Sequence, residues 1–423
     1  MHARAVAVEL LLRQSARSRI PLDNLARDPK FAELDGRDRR FVTELVFGVL
    51  RNLALLDYSI EWVSHKPLQK LDPEIVSILR TALYQLNYLR VPERAAVHSA
   101  VELCKGFKKS SAAPFVNALL RRFLSNPPPL PQGQTSEALS LRYSHPRWLV
   151  ERYLERYGDN ATENLLKANN QPPVPFVLVN TLKIGFQEFR QQLEHEQITF
   201  RLYPKVPNCL IVESPSFPEH PLYLGGYCFF MDGASQEVVH LANIQGAQRI
   251  GDFCSAPGGK LFLLTARKPP EATIYSCDVS HSRLRQMLER ARLYKVPTPK
   301  AVTADLTQGC PFRVPFDFIL VDVPCSGTGT LRSNPDIRIR ALETDLKRFH
   351  SKQLSILKNS FEGLRKGGDL LYITCSTEPE ENENVIEAFL AGEPQAAAIA
   401  DFYRSFPGNP GVGGFFAAQI RRV

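Results

Sequence analysis

Arg249-Ile-Gly-Asp-Phe-Cys-Ser-Ala-Pro-Gly-Gly-Lys-Leu-Phe-Leu-Leu-Thr-Ala-Arg267 decides the fold of the C-terminal part of the chain. Its first five residues read as a strand and Gly259 to Arg267 as a helix, joined by a tight turn with two adjacent glycines. Glycines let the backbone come close to a ligand, and a helix opening at such a turn offers free N–H groups. A cofactor is therefore expected on Cys254, Ser255, Ala256, Pro257, Gly258, Gly259 and Lys260. The turn is not a phosphate-cradling P-loop, which needs Gly at 254 and Ser or Thr at 261 where this chain has Cys254 and Leu261. Nor does it carry the Gly-x-Gly-x-x-Gly pattern of dinucleotide sites.

From Gln248 onward, short apolar strands alternate with helices. Strands are predicted near 249–253, 273–277, 300–303, 316–321, 369–374, 398–403 and 415–420, and helices near 259–267, 281–294, 341–364 and 381–390. That order implies a doubly wound, Rossmann-like α/β sheet. Ligands of such sheets bind outside the carboxyl ends of the strands.

Acids and thiols collect at those ends. Asp278 ends the second strand and Asp305 follows the third; the first suits ribose hydroxyls and the second an adenine amino group. With the glycine turn, they point to S-adenosylmethionine. The fourth strand ends in Asp322-Val-Pro-Cys-Ser-Gly-Thr-Gly-Thr330, so Asp322 and Cys325 can face one cleft. The fifth delivers Cys375 to the same edge, just before the acidic segment Glu378-Pro-Glu-Glu-Asn-Glu383. Alone, Cys375 would read as a buried thiol packing as a small hydrophobe. The acid, the second thiol and the cofactor turn favour a reactive site.

The first third differs in kind. Residues 1–124 hold 20 Lys and Arg against 13 Asp and Glu, most of the net +8 of the 423-residue chain. Helical periodicity in 5–12, 41–50 and 74–86, with further helices after Pro92 and Pro114, predicts an all-α bundle. Basic groups gather at Arg37, Arg39 and Arg40, at Lys105, Lys108 and Lys109, and at Arg121 and Arg122. They suit phosphates, or else a solvated surface. Prolines in Ser125–Thr135 mark a boundary, and a helix is predicted from about Leu141 to Tyr157. A small α+β subdomain follows. The expected domains are 1–130, 141–235 and 236–423.

No apolar run reaches the roughly 20 residues of a membrane span, and the first 20 residues carry Glu9 and four arginines where a signal peptide would be apolar. A cytoplasmic protein without membrane contact is expected. The eight scattered cysteines show no Cys-x-x-Cys spacing, so neither disulfides nor a metal site is indicated.

Two resemblances refine this reading. Asp35–Arg51, Pro92–Leu103 and Phe115–Arg122 resemble the NusB-type RNA-binding helical domain of antitermination factors. Asp252–Lys260, Asp322–Gly329, Thr374-Cys-Ser376, Pro379–Glu383 and Gly414-Phe-Phe-Ala417 resemble the signature motifs of RNA 5-methylcytosine methyltransferases, and Asn180-Thr-Leu-Lys183 resembles a segment of the same family. Together the chain is similar to bacterial enzymes that methylate a cytosine of small-subunit ribosomal RNA. Phe253, Ser255 and Ile339 depart from the usual Leu, Ala and Trp, the last at a position where an RNA contact would be altered.

The resemblance implies a monomeric enzyme using S-adenosylmethionine on ribosomal RNA, either naked or in a partly assembled particle. It makes Cys375 the nucleophile, Asp322 a partner of both the base edge and the cofactor, Cys325 the group that assists removal of the carbon-5 proton, and Lys260 a group orienting Asp322. From the residues alone the two cysteines are exchangeable, because DNA cytosine methyltransferases attack with the Pro-Cys thiol. Other readings are methylation of another RNA such as tRNA, a non-catalytic assembly factor, or an amine methyltransferase. The last usually carries an Asn/Asp-Pro-Pro-aromatic turn after strand four, unlike Asp322-Val-Pro-Cys325.

Overall fold

The computed structural model describes residues 3–14, 28–408 and 411–423, so Arg17 and Arg19 of the basic N-terminal segment lie outside the described residues. The chain forms two compact units, Met1–Pro172 with Leu331–Glu343, and Pro173–Thr330 with Thr344–Val423. Among the described residues no helix is long and apolar enough to cross a membrane.

The first unit is helical, with its principal helices at Ala3–Arg13, Gly36–Arg51, Leu53–Ser64, Pro73–Tyr88, Glu93–Gly106, Ala113–Ser125, Ser136–Tyr143 and Arg147–Asn169. Local chemistry sets several starts. Asp35 accepts the Asp38 N–H at 2.7 Å, Thr135 accepts that of Ala138, and Pro73 and Pro114 occupy first turns. Val42, Leu45, Val46 and Val49 form a buried stripe that shares one core with Ile78, Leu79, Ala82 and Leu83. The helix expected to stop near Tyr157 instead kinks at Gly158, whose φ of +73° glycine tolerates, and resumes to Asn169.

The segment Leu331–Glu343 completes this unit through Arg338. Its guanidinium donates to the carbonyl oxygens of Arg51 (2.6 Å), Tyr143 (3.1 Å), Ser144 (3.1 Å) and Asn169 (3.0 Å), where three helices end. Helix C-termini carry orphan carbonyls and partial negative charge, so one five-donor cation satisfies all three. Burial, with Arg51 adding to it, pushes this guanidinium down to about 9. The neighbouring Ile339 packs against the helical core, which makes the departure from Trp a packing change.

The second unit contains two sheets. Strands β1 (Phe176–Val179), β2 (Phe200–Leu202), β3 (Cys209–Val212) and β4 (Cys228–Phe230) pair antiparallel in the order β2-β3-β1-β4. The helix Phe186–His195 buries Phe189 and Leu193 in the same cluster as Val177, Val179 and Leu210 of this small sheet. Asn180, just after β1, donates to the carbonyls of Gly226 and Tyr294, and Lys183 donates to that of Leu293. The Asn180–Lys183 segment is thereby a tie to the end of the helix His281–Leu293.

The large sheet comprises β5 (Arg249–Phe253), β6 (Thr273–Asp278), β7 (Lys300–Thr303), β8 (Phe316–Asp322), β9 (Leu364–Thr374), β10 (Ala396–Ala398), β11 (Tyr403–Arg404) and β12 (Phe416–Arg422). Its order is β10-β12-β9-β8-β5-β6-β7, with β11 paired to β12. Strands β5 to β9 run parallel, and β10 to β12 add the antiparallel edge. The apolar runs are continuous because both faces are buried. Phe318, Leu320, Leu371 and Ile373 enter one core, whereas Ile319, Val321, Leu370 and Tyr372 enter the other. The single strand expected at 398–403 is divided into β10 and β11, and the helix expected at 341–364 spans Asp345–Glu362.

The chain leaves β5 toward β6 and β7, then crosses back to β8 on the other side of β5. The crevice between the ends of β5 and β8 is thus the topological switch point. The cofactor-type turn and Asp322 both open onto it.

Candidate active site

The turn after β5 is shaped by close packing. Cys254 has φ of +58° and Gly258 of +101°, and a Cβ added at Gly258 would lie 2.7 Å from Met287 Cγ. Gly258 is therefore required both by its conformation and by its neighbour. Asp278, at the end of β6, turns its carboxylate onto this loop, accepting from Ala256 N at 3.2 Å and Ser280 N at 2.9 Å. Ser255 N donates to the Cys277 carbonyl at 3.0 Å. Asp305, after β7, is exposed and accepts the Thr307 N–H and hydroxyl. Neither acid lines the cleft itself, which is formed by Asp252, Cys254, Ser255, Pro257, Gly258, Gly259, Lys260 and Asp322 together with Met231 and Ser235.

Asp252 is the site residue that sequence reading passed over. It is fully buried on β5, and neither carboxylate oxygen has a hydrogen-bond partner. Burial, followed by the charge of Asp322, holds this carboxyl well above the usual carboxylate range. An orphan buried acid on a cleft wall asks for a donor from a ligand. The amino and hydroxyl groups of S-adenosylmethionine are such donors, so Asp252, Asp278 and the N–H groups of the turn fit this cofactor. The visible signal was an acid inside an otherwise apolar strand.

Lys260 reaches from the first turn of the helix Gly259–Arg267 to Asp322, donating to Oδ2 at 2.7 Å. Burial works against its ammonium, but Asp322 outweighs that, and Cys375 and Asp252 add in the same direction, holding it above the ordinary lysine range. Opposite charges therefore favour the ionised pair.

Cys325 and Cys375, half-buried free thiols from the ends of β8 and β9, bring their sulfur atoms to 3.3 Å. The bond with Cys375, then burial, then further charge at Cys375 and Glu381, pushes the Cys325 thiol well up. A tightly coupled pair shares its protons, so the second proton is held more firmly than the first. The backbone locks the two loops together. Gly329 N donates to the Cys375 carbonyl at 3.0 Å, and Gly414 N to the Gly329 carbonyl at 2.7 Å. Cys375, Cys325, Asp322 and Lys260 thus meet at one sheet edge, with the cofactor turn beside them.

Comparison with known proteins agrees with this architecture. The family described as 16S rRNA methyltransferase RsmB/F matches residues 239–421, the NusB family residues 1–125, and an RsmF/B-like ferredoxin-like domain residues 145–217. A probable ribosomal RNA small subunit methyltransferase B of Coxiella burnetii is 32% identical over 360 residues, covering 84% of this chain and 83% of that one. The ribosomal RNA small subunit methyltransferase B of Klebsiella pneumoniae (strain 342) is 30% identical over 418 residues, 93% of either chain. The crystal structure of PH0851 superposes with a TM-score of 0.84 at 22% identity, covering 99% of this chain and 97% of that one, and so shares its fold.

Proposed function

The chain belongs to the ribosomal RNA small subunit methyltransferase B family, and from that premise we propose that it methylates carbon 5 of a cytosine in 16S ribosomal RNA through a covalent cysteine intermediate. The family is S-adenosylmethionine-dependent. The observation that carries the finer reading is the pair of thiols 3.3 Å apart beside the Lys260–Asp322 ion pair.

Carbon 5 of cytosine is too electron-poor to accept a methyl group directly, so a thiolate first adds to carbon 6 and makes an enamine. Covalent catalysis splits the difficult step in two. Bound S-adenosylmethionine supplies the electrophilic methyl group. In this reading Cys375 Sγ attacks carbon 6, while Asp322, steadied by Lys260, bonds the cytosine edge and stabilises charge on the ring. The resemblance of Thr374-Cys-Ser376 to the family's motif assigns the attack to Cys375, and the Cys325 thiol, 3.3 Å away, can donate to a Cys375 thiolate. Once Cys375 is bonded to carbon 6, the main influence opposing Cys325 ionisation is gone. Cys325 can then assist loss of the carbon-5 proton, and the electron pair of the breaking C–S bond returns to Cys375.

The target base must leave its stack to enter such a cleft, at a cost of a few kcal/mol that is least in loops or partly unfolded RNA. The helical unit suits phosphate contacts with Arg37, Arg39 and Arg121, which are exposed. Part of its basic excess is committed internally, since Lys105 pairs with Glu102 and Lys109 with Asp72.

The test is cysteine replacement. With ribosomal RNA and labelled cofactor, Cys375→Ala is expected to lose methylation and form no protein–RNA adduct, whereas Cys325→Ala accumulates one. The reverse pattern exchanges the roles. Absence of methyl transfer to unmodified small-subunit RNA by the wild type would sink the enzyme reading.

A further inference from the structure

The acidic segment after Cys375 contains a group that the mechanism above does not use. Glu381 is fully buried at the end of the short turn Pro379–Glu381, beneath the two cysteine loops. Its carboxyl group takes four donors. Oε1 accepts from Ser326 N at 2.8 Å and Gln353 Nε2 at 3.1 Å, and Oε2 accepts the hydroxyls of Ser326 and Ser376. Ser326 follows Cys325 and Ser376 follows Cys375, so one side chain grips the residue after each thiol.

The turn that carries Glu381 is itself held from below and beside. Tyr372 OH donates to the Glu381 carbonyl at 2.7 Å, and Asn382 Nδ2 to the Ser376 carbonyl at 3.0 Å. Ser326, Ser376 and Glu381 are all buried, where an unmatched polar group is costly. The two serine hydroxyls also meet each other at 3.2 Å, and that of Ser376 meets Thr328 at 3.2 Å, so displacing one member disturbs a connected network, which makes the arrangement stiff.

We propose that Glu381 is the positioning residue that sets the separation of Cys325 and Cys375, by holding the residue just after each, Ser326 by its backbone N–H and hydroxyl and Ser376 by its hydroxyl, with a single carboxyl group. The proposal rests on the covalent reading for its catalytic consequence, though not for the geometry itself. Shape rather than charge is what the grip requires. Burial pushes the Glu381 carboxyl up, and a neutral amide of equal length can still span both serines by letting their hydroxyls accept. A shorter carboxylate cannot reach both. A displacement of about 1 Å at a reacting group can cost on the order of 100-fold in rate.

The experiment compares Glu381→Asp with Glu381→Gln in the full chain. Two readouts are taken: kcat against KM for RNA, and the rate at which diamide closes a Cys325–Cys375 disulfide without RNA or cofactor. Glu381→Asp is expected to lower kcat roughly 10- to 100-fold with KM within about twofold, and to slow disulfide closure at least about tenfold. Glu381→Gln is expected to restore most of both. An Asp variant that closes the disulfide as fast as wild type, or a Gln variant as slow as the Asp one, overturns the proposal. If Glu381→Asp does not fold, Ser326→Ala and Ser376→Ala each remove one grip, and wild-type closure rates in both overturn it equally. Failure of the covalent reading would appear separately, as absence of any RNA adduct in Cys325→Ala, with the disulfide readout unaffected.

Discussion

Lys260 Nζ and Asp322 Oδ2 lie 2.7 Å apart across the crevice between β5 and β8, and the ion pair closes the floor of the switch point. The side chains are 14% and 32% exposed, respectively, so most of the pair's charge is away from water. Removing one member leaves the other facing Asp252 or an apolar wall. Lys260→Met and Asp322→Asn should each destabilise the protein by about 1–3 kcal/mol, less than for a fully buried pair because Asp322 is partly wet. The double variant should lose less than the sum of the two, as read by thermal unfolding. Strict additivity would show that the pair is not coupled.

Asp252 should set a pH dependence of stability. Its folded-state carboxyl is raised above the ordinary value of 3.8 by burial and by Asp322, so between those values the folded form binds more protons than the unfolded form. Stability without ligand must then fall as pH rises through that window. Asp252→Asn is expected to flatten the slope and to melt above wild type at pH 8. The same substitution should weaken S-adenosylmethionine binding measured by calorimetry, since one of the two orphan acceptors becomes a donor. Equal cofactor affinity in the two proteins would remove Asp252 from the site.

The thiol pair should make methyl transfer rise with pH. Attack needs one thiolate, and a free thiol with a pKa of about 8.5 is mostly protonated at lower pH, so single-turnover rates should climb toward one logarithmic unit per pH unit on the acid side. A rate that is flat from pH 5.5 to 8.5 would argue against thiolate attack.

Gly329→Ala should be severe although Gly329 has no left-handed conformation to protect. The added Cβ would sit 2.0 Å from the Gly414 carbonyl oxygen and 2.9 Å from that of Cys375, both backbone atoms that cannot swing away. Forcing these strands apart should cost on the order of 3 kcal/mol and displace Cys375, with adduct yield falling accordingly. Normal melting together with normal adduct formation would contradict this.

RNA affinity should fall with salt, at roughly 0.7 logarithmic units per phosphate contact in single-stranded regions. Arg37→Ala, Arg39→Ala and Arg121→Ala should each shallow that slope, by the same amount if each makes one contact. A filter-binding titration between 50 and 300 mM salt measures it, and unchanged slopes would move the contacts elsewhere.

The α/β core was legible because its signals are local. An apolar strand followed by a glycine turn and a helix, as in Arg249–Arg267, admits few other structures, and strand-end acids and thiols follow from the topology. Gly158 misled because a glycine inside a helical pattern reads as a stop, whereas here it only bends the chain. Glu381 was read as the start of the helix expected at 381–390 and as part of an acidic motif, and runs of charge usually face water. Its burial depends on Ser326, 55 residues earlier, and no local pattern encodes that partner. Arg338 is the same case, with carbonyl partners as distant as Arg51.

Arg338 also bears on the order in which the protein can be built. The helices ending at Arg51, Tyr143 and Asn169 emerge from the ribosome long before residue 338, the cation that closes them, which follows Pro172 by 166 residues. At about 5–20 residues per second that delay is on the order of ten to thirty seconds. During it the nascent helical unit carries open carbonyls at three helix ends, so its final consolidation waits until strands β5 to β8, half of those in the large sheet, have been synthesised.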